Sequence, residues 1–409
     1  MRIVRLLAMI VMMILCMSLA VMPANARSIV VPGDLDGDMI VSADEMDAAE
    51  RSYQSVSTTQ DQLDEIRHIH ENYPRTTTDY RGTEVTIYKP IRRIVSIAGL
   101  SAIDILRALG VEDSVIGVCK NVPDQPEYFP ELSKATDVGG VPPDIEAILE
   151  LDPDLILAYG GTCGQQADIE ESFEDTNVTV MRYRVTGLAF PGEEVTMEQL
   201  IKNLGHILER DDEAALFFEF IQDNVDEIKG RTSDIPEEEK PRVYIGISSS
   251  HYKTCGNGST VTPLCELAGG INIAANISGT WPDVDPEWVV EQNPDIIIRI
   301  VSPSQIPSGY ETDDPSEMRA MREEIMNLPE LSNVNAVKNG RVYMLSYRIS
   351  SSGPSMIVGC AYMAKWFHPD LFEDLGPQAI HQEYLTRFQR LDYDLDEHGV
   401  FIYPPLEVS

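Results

Sequence analysis

Ile145-Glu146-Ala147-Ile148-Leu149-Glu150-Leu151-Asp152-Pro153-Asp154-Leu155-Ile156-Leu157 aligns without gaps on Pro286-Glu287-Trp288-Val289-Val290-Glu291-Gln292-Asn293-Pro294-Asp295-Ile296-Ile297-Ile298. Glu146 matches Glu287, Glu150 matches Glu291, and Pro153-Asp154 matches Pro294-Asp295. Each copy reads as a short helix, a Pro-Asp turn and a buried strand. Upstream, Leu106-Arg107-Ala108-Leu109-Gly110 resembles Leu264-Cys265-Glu266-Leu267-Ala268-Gly269. A duplicated α/β unit in one chain predicts two similar lobes. A solenoid's short repeat period is absent.

Outward from the repeat, strands and helices alternate. Val85–Tyr88, Arg93–Ile97, Ser114–Val118, Asp154–Ala158 and Val178–Arg182 read as strands, with helices at Leu100–Leu109 and Asp144–Leu151. The same alternation resumes with Arg242–Ile247, Val261–Ala268, Pro286–Gln292, Asp295–Ile300, Arg341–Leu345 and Pro354–Phe367. Such alternation predicts an α/β fold with mainly parallel sheets. Between the lobes lie two helical stretches, Glu194–Leu208 and Asp212–Lys229. The second carries an apolar stripe at Ala215, Phe218, Ile221, Val225 and Ile228, closed by Gly230 and Pro236. It reads as a long connecting helix, stiff enough to keep any opening of the lobes small. The expected divisions are 80–208 for an N-lobe, 209–235 for the connecting helix and 236–409 for a C-lobe with C-terminal helices.

The chain has 409 residues, of which 43% are hydrophobic, so a large core is expected. A formal net charge of −36 excludes nucleic acid and anionic membrane surfaces as partners. Arg2 and Arg5, the apolar run Leu6–Met22 and Ala24-Asn25-Ala26 read as a signal peptide over residues 1–26. Cys16 lacks the small preceding residue that a lipidated cysteine would have. Export to the cell surface, at the outer face of the cytoplasmic membrane, is the expectation. Cys119, Cys163, Cys255, Cys265 and Cys360 then remain. Export permits disulfides, and Cys119–Cys163 and Cys255–Cys265 each fall within one lobe; the odd count leaves a thiol over.

Between the signal and the lobes, residues 27–79 carry a second motif. With Asp34 as position 1, Asp36 is 3, Asp38 is 5, Ile40 is 7, Ser42 is 9 and Glu45 is 12. That is the oxygen spacing of a Ca²⁺ loop, Ile40 offering its carbonyl and Glu45 two oxygens. Position 6 is Met39, where the motif wants glycine for its sharp turn. Pro32-Gly33 replaces an incoming helix. The segment resembles the half EF-hand of dockerin repeats and predicts Ca²⁺ at 34–45; the alternative is an acidic turn without an ion. Residues 47–72 read as polar helix, interrupted by a linker at Ser55–Thr59.

Residues 80–370 as a whole resemble the class III substrate-binding proteins of ABC importers, the family handling ferric siderophores, haem and cobalamin. The resemblance rests on Arg93–Ser101 with Leu106–Gly110, the duplicated Glu-x₆-Pro-Asp-[Leu/Ile]-Ile unit and the helix-linked lobes. Trp281–Ile298 resembles the archaeal branch. The resemblance implies a monomeric, non-enzymatic receptor that delivers a ferric chelate or cobalamin to an ABC permease and its ATPase subunits. It implies that Glu146 and Glu287 dock to permease arginines; each is equally a glutamate suited to a helix N-terminus. It implies a ligand between the lobes, where loops leave strand C-termini. The ligand-binding candidates there are Lys120, Tyr159, Arg184, His251, Tyr252, Trp281, Arg299 and Arg348. Arginine forks would suit an anionic chelate, and flat aromatic faces a corrin ring.

Other chemistry is not encoded. There is no G-x-S-x-G elbow, no G-x₄-G-K-[ST] phosphate loop and no H-E-x-x-H. The seven histidines are scattered, so a bare zinc or manganese ion has too few ligands at the cleft. The alternatives are a surface enzyme or redox protein with Cys119 or Cys163 reactive, and a calcium-dependent interaction module built on residues 33–46.

Overall fold

The computed structural model describes residues 29–160, 168–184, 196–351 and 353–406. The predicted signal peptide, Cys16 and Cys163 lie outside the described residues. The first helices among the described residues are α1 (Ala43–Gln54) and α2 (Gln60–Asn72). The N-lobe follows with β1 (Arg75–Thr78), β2 (Glu84–Ile87), β3 (Ile94–Ile97), α3 (Leu100–Ala108), β4 (Val115–Val118), β5 (Thr136–Asp137), α4 (Ile145–Glu150), β6 (Leu155–Tyr159), β7 (Thr179–Tyr183) and α5 (Met197–Ile207). The connecting helix is α6 (Asp211–Thr232). The C-lobe comprises β8 (Arg242–Ile247), β9 (Ser250–Thr254), α7 (Val261–Leu267), β10 (Ile271–Asn272), α8 (Pro286–Gln292), β11 (Ile296–Val301), α9 (Ser316–Met326), α10 (Asn335–Lys338), β12 (Val342–Ser346), α11 (Tyr347–Ser350), α12 (Met356–Phe367), α13 (Pro377–Glu383) and β13 (Ile402–Tyr403).

The N-lobe sheet has the order β5-β4-β3-β6-β7, with every pairing parallel. The C-lobe sheet runs β10-β8-β11-β12-β13, parallel except where β13 joins β12. β9 adds an antiparallel hairpin to β8. Strands covered on both faces read as apolar runs, and two interior strands do: the first four residues of β6 are apolar and buried, and all six of β11 are buried, with Arg299 the one break in its apolar run. The helix before each of these strands ends in a left-handed residue, Asp152 at φ 45° and Asn293 at φ 44°. The following proline cannot extend the helix, so the chain drops into the strand.

The predicted helix α6 is 22 residues long, about 33 Å at 1.5 Å per residue. Its buried stripe is Ala214, Phe217, Ile221 and Ile228 with Phe220 added; the predicted Ala215 is exposed. The shift by one residue arises because α6 packs on both lobes, against α3 on one side and α7 and α12 on the other. Phe217 and Phe220 meet Phe388 with ring centroids 5.0 and 4.9 Å apart. The helix continues through Gly230 to Thr232.

The N-terminal unit is fastened to the N-lobe. Val31, Val41, Ile69 and Tyr73 share one core with Val85, Ile87 and the N-lobe. His68 Nε2 lies 2.8 Å from Glu209, and the Tyr73 hydroxyl donates to the same carboxylate at 2.5 Å. The predicted linker at Ser55–Thr59 supplies a cap: Thr59 and Gln62 form a reciprocal capping box for α2. The predicted Cys255–Cys265 disulfide is absent. Cys119, Cys255, Cys265 and Cys360 are free thiols, and burial raises the pKa of each.

Candidate functional site

Loops leaving the C-terminal ends of β3, β4, β11 and β12 meet between the lobes. Leu100, Asn121, Asp124 and Gln125 face residues 302–312 and Tyr347–Arg348 across a cavity of about 480 Å³. A second cavity of about 260 Å³ shares Ser302 and Tyr347 with it and is walled by Trp281, Ile247 and Gln305. Strand C-termini at a crevice are where open α/β sheets hold ligands. A cavity of about 510 Å³ lies elsewhere on the N-lobe, lined by Thr76, Lys202, His206 and Asp211. Its residues come from β1, β2, α5 and α6, away from those loops.

The cleft floor joins the lobes. Asp104 of α3 and Arg348 of α11 are buried, and Arg348 Nη2 reaches both Asp104 oxygens, at 2.8 and 3.1 Å. The Tyr128 hydroxyl donates to Asp104 at 3.0 Å. The Tyr128 ring lies under the Arg348 guanidinium at 4.2 Å and stacks on Tyr310 at 4.1 Å. The Tyr310 hydroxyl meets His381 Nε2 at 2.8 Å. Burial, with the Arg348 charge second, pushes His381 down to about 3, so this histidine is neutral. Glu311 of the C-lobe accepts the N–H groups of Glu127 and Tyr128 of the N-lobe, each at 3.1 Å. Buried charge persists only where it is paired and hydrogen-bonded, and these partners come from opposite lobes.

Two of the predicted ligand-binding residues line the cavities: Arg348 in the larger and Trp281 in the smaller. Lys120 is exposed beside the lining residue Asn121. Tyr159 ends β6 and is not among the residues lining either cavity. Arg184 lies over the Tyr80 ring at 5.7 Å and donates to its hydroxyl at 3.1 Å. His251 lies 2.9 Å from Glu324, and the Tyr252 hydroxyl donates to Glu330 at 2.5 Å. Arg299 is buried and donates to the carbonyls of Ile247, Ser250 and His251 at 2.7, 2.7 and 3.0 Å. Its guanidinium holds the β8–β9 hairpin and lines neither cavity.

Residues 302–312 form much of the C-lobe wall and were absent from the predicted set. The repeat contained the signal: this loop follows β11 as the Tyr159-Gly160 loop follows β6, and only the latter was assigned to the cleft. Tyr310 and Glu311 escape prediction because their partners, Tyr128 and Glu127, are about 180 positions away.

Residues 95–348 match the family model described as periplasmic binding protein. The chain belongs to the periplasmic binding protein family. It is an extracytoplasmic solute-binding protein of an ABC transporter and not an enzyme. It is 27% identical over 306 residues to an ABC transporter substrate-binding lipoprotein of Bacillus subtilis, covering 74% of this chain and 88% of the relative. It is 26% identical over 307 residues to a cobalamin-binding protein of Halobacterium salinarum, covering 73% of this chain and 75% of the relative. A TroA-like periplasmic binding protein from Veillonella parvula has the same fold, with a TM-score of 0.68 at 22% identity over 80% of this chain and 99% of that one. The molybdate-binding protein of Haemophilus influenzae has it too, with a TM-score of 0.63 at 21% identity over 78% and 99%. Among the described residues, no helix is long and apolar enough to cross a membrane.

Proposed function

We propose that this family member captures a cobalamin-type corrinoid in the interlobe cleft and delivers it to the permease and ATPase subunits of an ABC importer. The supporting observation is the chemistry of the walls. Leu100, Pro303, Pro307, Tyr310, Tyr347 and Trp281 offer apolar and aromatic surface, and Asn121, Gln125 and serines 302, 304 and 308 offer neutral hydrogen-bonding groups. A large flat ring with neutral amides at its edge suits such walls. Among the described lining residues the one arginine is Arg348, and it is paired with Asp104, so the arginine forks that suit an anionic ferric chelate are not offered there. Mass spectrometry of the ligand that co-purifies, then titration with cyanocobalamin and a ferric siderophore, tests this reading. Cyanocobalamin should saturate the cleft and quench Trp281. A ferric chelate that cyanocobalamin fails to displace would remove the corrinoid.

In the same reading, Glu146 and Glu287 are the permease handles. Each is exposed at the second residue of its short helix, α4 or α8. Equivalent carboxylates on two similar lobes suit a two-fold partner. Glu146→Arg with Glu287→Arg should abolish uptake and leave ligand affinity unchanged.

The N-terminal loop fits a calcium ion in part. Carboxylate oxygens of Asp34, Asp36 and Asp38 all lie within 4.8 Å of one another. Met39 takes φ 68°, supplying the turn expected of glycine. Glu45 is turned to other partners, accepting from the N–H groups of Leu35 and Ser42 at 2.6 and 2.8 Å. Ca²⁺ would therefore be held by the three aspartates with the Ile40 carbonyl, bracing a unit already packed on the N-lobe.

A further inference from the structure

The cleft has an acidic mouth built from both lobes. Asp124 comes from the N-lobe turn after β4, where Gln125 Nε2 donates to the Asn121 carbonyl at 2.8 Å. Glu311 comes from the C-lobe loop after β11 and is anchored across the gap on the N–H groups of Glu127 and Tyr128. Both side chains are exposed, and both line the larger cavity. Among the described lining residues the one cation is Arg348, and its charge is matched by Asp104 in the floor. The positive counterweights are exposed Lys120 and half-buried Arg184, which directly follows β7 and donates to the Tyr80 hydroxyl, in a chain of net charge −36. Field lines concentrate in a cleft lined by one sign of charge, so an approaching anion meets repulsion and a cation attraction.

We infer that Asp124 and Glu311 are specificity-determining residues, a charge filter that admits neutral and cationic ligands and rejects anions. This rests on the corrinoid reading and sharpens it. Within one ligand class, a corrinoid carrying a net positive charge, such as the aquo form, binds more tightly than its neutral cyano form. Oxyanions and ferric polycarboxylates are excluded, although the same fold accommodates an oxyanion elsewhere.

The test is a titration of the full-length protein with aquocobalamin, cyanocobalamin, molybdate and ferric citrate, each at low and at moderate salt. Wild type should prefer the aquo form, and salt should narrow the preference. Asp124→Asn with Glu311→Gln should weaken aquocobalamin roughly fivefold and leave cyanocobalamin within about twofold. The amide of Glu311→Gln retains an oxygen for the Glu127 and Tyr128 N–H groups, so the rim stays anchored. Equal weakening of both cobalamins, or no weakening of either, would overturn the inference while leaving the corrinoid reading standing. Molybdate or ferric citrate saturating wild type would overturn it as well. If neither cobalamin binds but a neutral ferric hydroxamate does, the corrinoid reading falls and the filter survives, provided the anions are still refused.

Discussion

In the N-lobe, Asp154 turns its carboxylate onto the N–H groups of Arg92 and Arg93, both at 3.0 Å; in the C-lobe, Asp295 does the same to Arg242 at 3.0 Å. Arg93 Nε reaches the Asp152 carbonyl at 3.0 Å, and Arg242 Nε reaches the Gln292 carbonyl at 3.3 Å. At this end of the sheets the lobes are near copies. At the other end they diverge. The alignment sets Ala158 of β6 against Arg299 of β11. Arg299 ties down the β8–β9 hairpin, and Gly246 makes room for it: a Cβ there would lie 2.4 Å from Arg299 Nη1. The N-lobe instead buries Arg182 on β7, bonded to the Tyr159 carbonyl at 3.0 Å and to Glu170. Duplication has preserved the turn that starts the central strand and left the strand C-termini free to differ. Ligands bind at those C-termini, so the two walls of one cleft carry different chemistry.

The most damaging way to break the pairing of the lobes lies at the floor. Arg348→Met leaves the Asp104 charge buried without its partner, and a loss of about 3–5 kcal/mol is expected from urea unfolding. Adding Asp104→Leu should recover most of it. A loss under about 1 kcal/mol would mean that this ion pair contributes little to holding the lobes together.

Next in size are matched substitutions in the repeated turns. Asp154→Ala and Asp295→Ala each remove a carboxylate that caps strand N–H groups, for about 1–2 kcal/mol. Asp154→Ala should cost slightly more, because Asp154 caps two such groups and meets Lys89 at 3.0 Å, whereas Asp295 caps one and accepts from Asn335 Nδ2 at 3.1 Å. Destabilisation from one substitution only would refute the equivalence of the turns.

The smallest effect concerns the N-terminal unit, which packs on the N-lobe and on Glu209. Hydrogen bonds from the Leu35 and Ser42 N–H groups hold Glu45 down to about 2, against an ordinary 4.5. The folded state thus binds fewer protons than the unfolded one below pH 4.5. The contribution of Glu45 is complete above that pH and falls away towards pH 2. Glu45→Gln should lower stability by about 1 kcal/mol at pH 7 and flatten the acid limb of the wild-type curve. An unchanged acid limb would assign it to other carboxylates.

Much of this was legible in the residues. β8, α8 and the repeated Pro-Asp turns are set by local rules: apolar runs, proline stops and left-handed turn residues. The cleft was legible in place but less so in detail. Arg299, expected at the ligand, is a buried guanidinium bonded to carbonyls and lines neither cavity, while Arg348 lines the larger cavity with its charge matched by Asp104. A sequence shows an arginine at a strand end but not whether carbonyls or a distant aspartate await it.

By itself, the order of residues determined the duplicated α/β unit, the connecting helix and the strand ends at which a cleft must lie, because each depends on neighbours within a few positions. The tertiary structure alone decided which side chains line that cleft, that Asp104 meets Arg348 244 positions away, and that Glu311 crosses to the other lobe. Those contacts depend on how two lobes close on one another, and burial then selects the charges that find a partner.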